Sequence, residues 1–200
     1  MVNDILKFWF GQAVPQGLPD QAVRDLWFKK SAATDDTIRE RFGKLVQSAL
    51  DTDGLSNWEG RMPDELALVI LLDQFTRNIF RDTPRAFAGD RRAIQLVQAG
   101  VAERRERQLP LIQRAFFYMP CMHSEDADIQ KWGVLLFQQL AEEPGADQQL
   151  REQLLSFHLY AEKHRDIVLR FGRFPHRNAV LNRESTPEEL TFLKQPGSSF

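Results

Sequence analysis

The 200-residue sequence has a single cysteine, Cys121. No disulfide can form within the chain, and a lone thiol points to a reducing compartment, the cytoplasm. An excess of either charge is missing as well: 26 Lys and Arg stand against 28 Asp and Glu, a formal net charge of −2. That balance supplies no general attraction to nucleic acid or to a membrane, so any basic site must be local. The longest purely apolar run, Leu66 to Leu72, is far shorter than the ~20 residues that span a bilayer. The opening "MVNDILKFWFG" has an acid at Asp4 and no basic lead-in, unlike a signal peptide. Stretches alternating apolar and polar residues are lacking, which argues against strands. No GxxxxGK[ST], GxGxxG or GxSxG occurs, so no cofactor is implied.

What remains is helical periodicity from end to end. Asn3 is expected to cap a first helix that buries Ile5, Leu6 and Trp9 and stops at Gly11. A loop follows from Gln12 to Asp20, then a short apolar-faced segment around Leu26, Trp27 and Phe28. Thr34-Asp35-Asp36 opens a helix carrying Ile38, Phe42, Leu45, Val46 and Ala49, which ends near Gly54. The most apolar helix starts at Pro63-Asp64-Glu65 and runs to about Phe80. Thr83 and Pro84 start another, as N-cap and first helical residue. Further helices are predicted from Pro110 to Tyr118, from Ser124 to about Glu142 and from about Ala146 to Phe171. Thr186-Pro187-Glu188-Glu189 is a capping box that starts a last short helix. Eight or nine helices on short connections predict one all-α domain over residues 1–200.

Three motifs carry the polar chemistry. In "LLDQFTRNIFR", Asp73, Arg77 and Arg81 follow one another at i, i+4 and i+8, with Gln74 and Asn78 on the adjacent stripe. So apolar a helix is buried on most sides, so its polar stripe lines a cleft or forms a buried ion-pair ladder. In "YMPCMHSEDADIQ", Pro120 is expected to break one helix and Ser124 to cap the next. Glu125, Asp126 and Asp128 then suit the positive end of the helix dipole, which leaves His123 and Gln130 without an explanation.

In "LRFGRFPHRN", Gly172 ends the long helix and Pro175 keeps it from resuming. Phe171 and Phe174 anchor the turn. Arg173, His176, Arg177 and Asn178 therefore occupy a fixed irregular loop, where functional groups are common. Asp73, Glu125 and Asp126 are its natural counter-charges, so the three motifs are expected to converge on a mixed-charge pocket.

Sharper chemistry has less support. His123, His158, His164 and His176 show no HxxxH or HExxH spacing, so no metal site is assigned; one from His123, Glu125, Asp126 and His164 needs tertiary assembly. Cys121 beside methionines reads as a small hydrophobe before a nucleophile. "ERRERQ", interleaved with acids, reads as a solvated helix end or loop.

An internal similarity links "QFTRNIFRDTPRAF" with "RFPHRNAVLNRESTPEEL". Their Arg-Asn pairs, 77–78 and 177–178, are spaced by close to three of the ~34-residue units of tetratricopeptide arrays. Chance and the general liking of helix starts for Thr-Pro are the competing explanation.

Together "ILKFWFG", "LLDQFTRNIFR", "AFAGD", "FFYMPCMHSED", "HRDIVLRFGRFPHRN" and "STPEELTFLKQPGSSF" resemble a bacterial family defined as domain of unknown function 924. The resemblance covers essentially the whole chain. It implies an all-α, tetratricopeptide-like right-handed superhelix and carries no established activity. Two positions depart from the family pattern: Thr76 stands where proline is usual, and Asn182 where glycine is usual, which predicts a less extreme backbone there.

Three functions fit these residues. The first is a soluble binding module whose arginines, asparagines and histidine grip an anionic small molecule or peptide group. The second is a small-molecule hydrolase or lyase, with His123 or His176 as general acid/base, Glu125 or Asp126 as partner, and arginines facing developing negative charge. The third is a buried structural ion-pair network.

Overall fold

The computed structural model describes residues 1–12, 17–51, 54–143 and 145–199. The loop expected over residues 12–20 lies partly outside them. The described elements are α1 (Val2–Phe10), α2 (Gln21–Phe28), α3 (Ala32–Leu50), α4 (Asp64–Val69), α5 (Thr76–Ile79), α6 (Asp90–Ala102), α7 (Leu111–His123), α8 (Ala127–Glu142), α9 (Gln148–Phe171) and α10 (Pro187–Phe192). Short 3₁₀ turns cover Ser56–Trp58, Pro84–Phe87, Arg105–Gln108 and Pro175–Arg177. No strand occurs among the described residues, and no helix is long and apolar enough to cross a membrane.

The apolar run Leu66 to Leu72 forms the central helix, and each of its side chains is at most 1% exposed. Helices α3, α1, α6 and α7 pack around it. Aromatic rings fill the space between them: Phe42 stacks on Phe75 at 5.1 Å, and Trp9 meets Phe75 at 5.4 Å and Phe116 at 5.9 Å, both edge to face. Burying a ring of this size contributes about 1.5–3 kcal/mol. The Trp27 indole donates to the Trp9 carbonyl at 2.7 Å, which fastens α2 to α1. α7, α8 and α9 follow as consecutive packed helices.

Several boundaries differ from expectation for identifiable reasons. Asn3 lies inside the first turn of α1, which Met1 precedes, and it caps nothing. Ser31, not Thr34, caps α3 by accepting from Thr34 N, and this draws Asp35 into the helix and buries it. Thr83 does not cap; its hydroxyl donates to the Phe80 carbonyl at 2.7 Å, and Pro84 begins only a 3₁₀ turn.

Pro120 does not break α7, which runs on to His123. A proline inside a helix costs about 3 kcal/mol or more, but every residue of α7 before His123 is buried, and that burial outweighs the lost hydrogen bond. The next helix is capped by Asp126 rather than Ser124: its carboxylate accepts from Asp128 N at 2.8 Å and Ile129 N at 3.0 Å. The Gln130 amide donates to the Met122 and Ser124 carbonyls, both at 2.7 Å, and locks the corner between α7 and α8.

Two glycines permit close packing that positions the polar residues. A Cβ on Gly133 would lie 2.9 Å from Cys121 Cβ, so α7 and α8 touch there. A Cβ on Gly89 would lie 2.3 Å from the Leu72 carbonyl oxygen, so the start of α6 rests directly on the central helix.

Candidate functional site

Between α4 and α5 the central helix widens into a π-helical turn, Ile70–Phe75. Such turns recur at functional sites, because the wider loop re-aims the side chains on it. Asp73 sits in this turn with no exposed surface. Its carboxylate accepts from His123 Nδ1 at 2.8 Å and from the Gln74 amide at 2.6 Å, and lies 3.1 Å from Arg77 Nη1. Burial works against the charge, but Arg77 and His123 outweigh it and hold the Asp73 carboxyl far below the usual carboxylate range. A carboxylate can only accept, so His123 Nδ1 carries a proton, and Nε2 is the ring nitrogen left for other partners.

Arg77 reaches further, to the first residue of α6. Its two Nη atoms meet the Asp90 carboxylate at 2.9 and 3.0 Å, a bidentate pair. Asp90 was not among the residues singled out from the sequence. The signal available was "AFAGD", where glycine brings the helix start against Leu72 and the acid follows it.

Arg177 stands on the other side of Asp90, with Nη1 3.7 Å from Oδ2, beyond hydrogen-bond distance. Its guanidinium lies between two aromatic rings, 4.6 Å from the centroids of both Phe87 and Phe174. Arg177 is 7% exposed, and among the described residues its buried Nε has no hydrogen-bond acceptor. Burial, with Arg77 close by, pushes its pKa down to about 10, so it remains a cation at neutral pH.

The α7–α8 corner and the C-terminal turn meet through Glu125. Its carboxylate accepts from Phe174 N at 2.8 Å and from both Nη atoms of Arg183 at 2.6 and 2.8 Å. Asn182, before that arginine, has φ 53; the left-handed conformation persists without glycine, as asparagine tolerates it. Asp82 has φ 59 at the corresponding place of the earlier similar segment.

A cleft of about 470 Å³ opens where these parts join. Arg177, His123 and Asp90 supply its polar wall; Phe87, Ile94 and Leu181 supply apolar surface. Glu125 and Asp126 also border it, but Glu125 is engaged by Arg183 and Asp126 by the start of α8.

The structure therefore brings together Asp73, Gln74, Arg77, His123, Glu125, Asp126 and Arg177. His164 stays beside this group, its ring centroid 6.3 Å from that of His123, and His176 lies 5.6 Å from the Phe174 ring, whereas Asn78, Arg81, Arg173 and Asn178 turn to other partners. Arg81 lies beyond the end of α5 and pairs with Asp35 on α3, its Nε 2.7 Å from Oδ2, while the Asn78 amide donates to the same carboxylate at 2.8 Å. The i, i+4, i+8 stripe thus ends at Arg77. Arg173 and Asn178 turn to Glu189, buried at the start of α10, where Arg173 donates at 2.7 and 2.8 Å.

His164 packs edge-on to Phe174 at 5.6 Å, and its Nδ1 donates to the Tyr160 carbonyl at 2.7 Å. Burial pushes its pKa down to about 3, and the same cause takes His176 to about 4, so both rings are neutral at pH 7. Cys121 is fully buried and desolvation pushes its thiol up, which is the opposite of an activated nucleophile. Among the described residues no three His, Cys, Asp or Glu side chains are grouped to hold a metal ion.

A model of a bacterial family of unknown function, DUF924, matches residues 5–197. A solved structure of a protein of unknown function from Agrobacterium tumefaciens is 36% identical, covers 96% of each chain and superposes with a TM-score of 0.77. Curated proteins give no match.

Proposed function

The chain belongs to the bacterial DUF924 family, and we propose that it is a soluble cytoplasmic binding protein whose Arg177 cleft takes the anionic group of a small molecule or peptide. One observation carries this reading. A guanidinium offers five N–H donors, and burying them without acceptors is costly. Arg177 is buried against two rings, yet among the described residues its Nε has no acceptor and the Asp90 carboxylate stays 3.7 Å from Nη1. A carboxylate or phosphate entering the cleft meets that need with paired hydrogen bonds, and the neighbouring apolar wall receives an uncharged body. The consecutive packing of α7, α8 and α9 supports a tetratricopeptide-like arrangement as the frame of this cleft.

A second reading, general acid/base catalysis, is favoured by the His123–Asp73 pair. A buried ionised carboxylate orients the ring and fixes its tautomer, the role an acid plays behind a catalytic histidine. The partner is Asp73, not Glu125 or Asp126 as expected from the sequence.

Arg177→Met tests the binding reading. Methionine fills similar space without donors, so the melting temperature should hold or rise. Capture of inorganic phosphate and of short dicarboxylates, followed by calorimetry, should weaken by about tenfold or more. Unchanged capture, or a fold that collapses with Arg177→Met, sinks the proposal in favour of a structural network.

A further inference from the structure

A second cavity, of about 200 Å³, lies at the opposite end of α7 from His123. Val101, Leu136 and Leu140 form its apolar wall, while Glu106, Arg107, Arg114, Tyr118 and Glu143 bring polar groups to it, with Arg104 and Gln139 at the rim. Glu106 is only 4% exposed, and among the described residues its Oε2 has no hydrogen-bond partner. Its nearest cation, Arg107 Nε, stands 3.8 Å from the other oxygen, too far for a hydrogen bond. Arg114 is 6% exposed; one of its Nη atoms pairs with Glu143 and the other lies 3.5 Å from the Leu109 carbonyl, but among the described residues its buried Nε has no acceptor.

One small cavity thus holds a carboxylate oxygen without a donor and a guanidinium nitrogen without an acceptor. Arg104 at the rim has φ 58, a left-handed conformation that costs free energy in any residue but glycine and collects at ligand sites. Burial keeps the Tyr118 phenol protonated, so it remains a donor.

We propose that this cavity binds a small zwitterion with an apolar side chain, an α-amino acid of the leucine kind. Its ammonium meets Glu106, its carboxylate meets Arg114, and its hydrocarbon lies against Val101, Leu136 and Leu140. A single charge of either sign satisfies only one of the two orphaned groups; a zwitterion satisfies both. The cavity is smaller than the ~300–1,000 Å³ of pockets built for larger ligands, which limits the occupant to amino-acid size.

Calorimetric titration with L-leucine, isoamylamine and isocaproate decides the matter, run on the full chain and on its Arg177→Met variant so that carboxylate capture at the other cleft is removed. L-leucine should saturate one site, and each singly charged analogue should bind at least about tenfold more weakly. Glu106→Gln should weaken L-leucine by a similar factor. Gln139→Trp, from the exposed rim on α8, should block the cavity with the melting temperature unchanged, and it decides the question if Glu106→Gln does not fold. Arg177→Met should leave L-leucine binding intact, since that residue belongs to the other cleft. Equal binding of L-leucine and isocaproate, or no saturation at millimolar L-leucine, overturns the proposal.

Discussion

Replacing His164 by asparagine should remove a pH dependence that the wild-type fold carries. The ring is 5% exposed, and its Nδ1 donates to the Tyr160 carbonyl one helical turn back. Burial holds the folded pKa at about 3, whereas the unfolded side chain titrates near 6.5. Between these values the unfolded chain binds a proton that the folded one refuses, so stability is full above pH ~6.5 and falls as the pH is lowered. The loss is about 1.4 kcal/mol for each pH unit, or about 2 kcal/mol at pH 5. Asparagine can place its amide donor where Nδ1 stands but cannot titrate. At pH 8 the variant should be less stable by about 1–2 kcal/mol, from lost packing alone. At pH 5 that deficit should vanish or reverse. Urea unfolding of both proteins at a series of pH values reads the difference directly. His176 contributes equally to both and cancels. A wild-type-minus-variant difference that stays constant from pH 8 to pH 5 refutes the reasoning.

Asp73→Asn leaves the buried Arg77 without one of its two acids and should cost about 3–5 kcal/mol by chemical denaturation. Because the Asp73 carboxyl is held below its unfolded value, its contribution is present above that value and is lost as the pH falls; the variant should show a flatter acid limb below about pH 4. Gly89→Ala drives a methyl group into the Leu72 carbonyl, which is backbone and cannot swing away. A destabilisation of about 1–3 kcal/mol should accompany faster amide exchange at the start of α6. Thr186→Ala removes the hydroxyl that accepts from Glu189 N and should lower stability by about 1 kcal/mol, read as a shift in urea midpoint.

The parts of the fold legible in the sequence were those set by local chemistry. Gly172 ends α9 with φ 70, and Thr186 and Glu189 cap each other. Asp73 and Arg77 meet because i, i+4 residues share a helix face. What escaped notice depended on tertiary packing. Pro120 looks like a helix breaker until the surrounding burial is known, and nothing in residues 70–75 announces a π turn. Asp35 reads as a helix-start acid, yet packing turns it inward as the partner of Arg81 and Asn78. Asp90 and Phe87 were missed because their partners lie in segments far away along the chain. The pocket's division into a cleft and two separate ion-pair clusters follows from those unforeseen acids.

The wide turn at residues 70–75 behaves like a hidden insertion within an otherwise regular rod. A wider turn spends one more residue over nearly the same angle, so deleting one residue there would restore ordinary winding and leave Arg77, Asn78 and Arg81 close to their present facing. What would be lost is the aim of the residues on the turn itself, Asp73 first among them. Shortening by one residue here should therefore spare the outer ion pairs and strike the contact between Asp73 and His123.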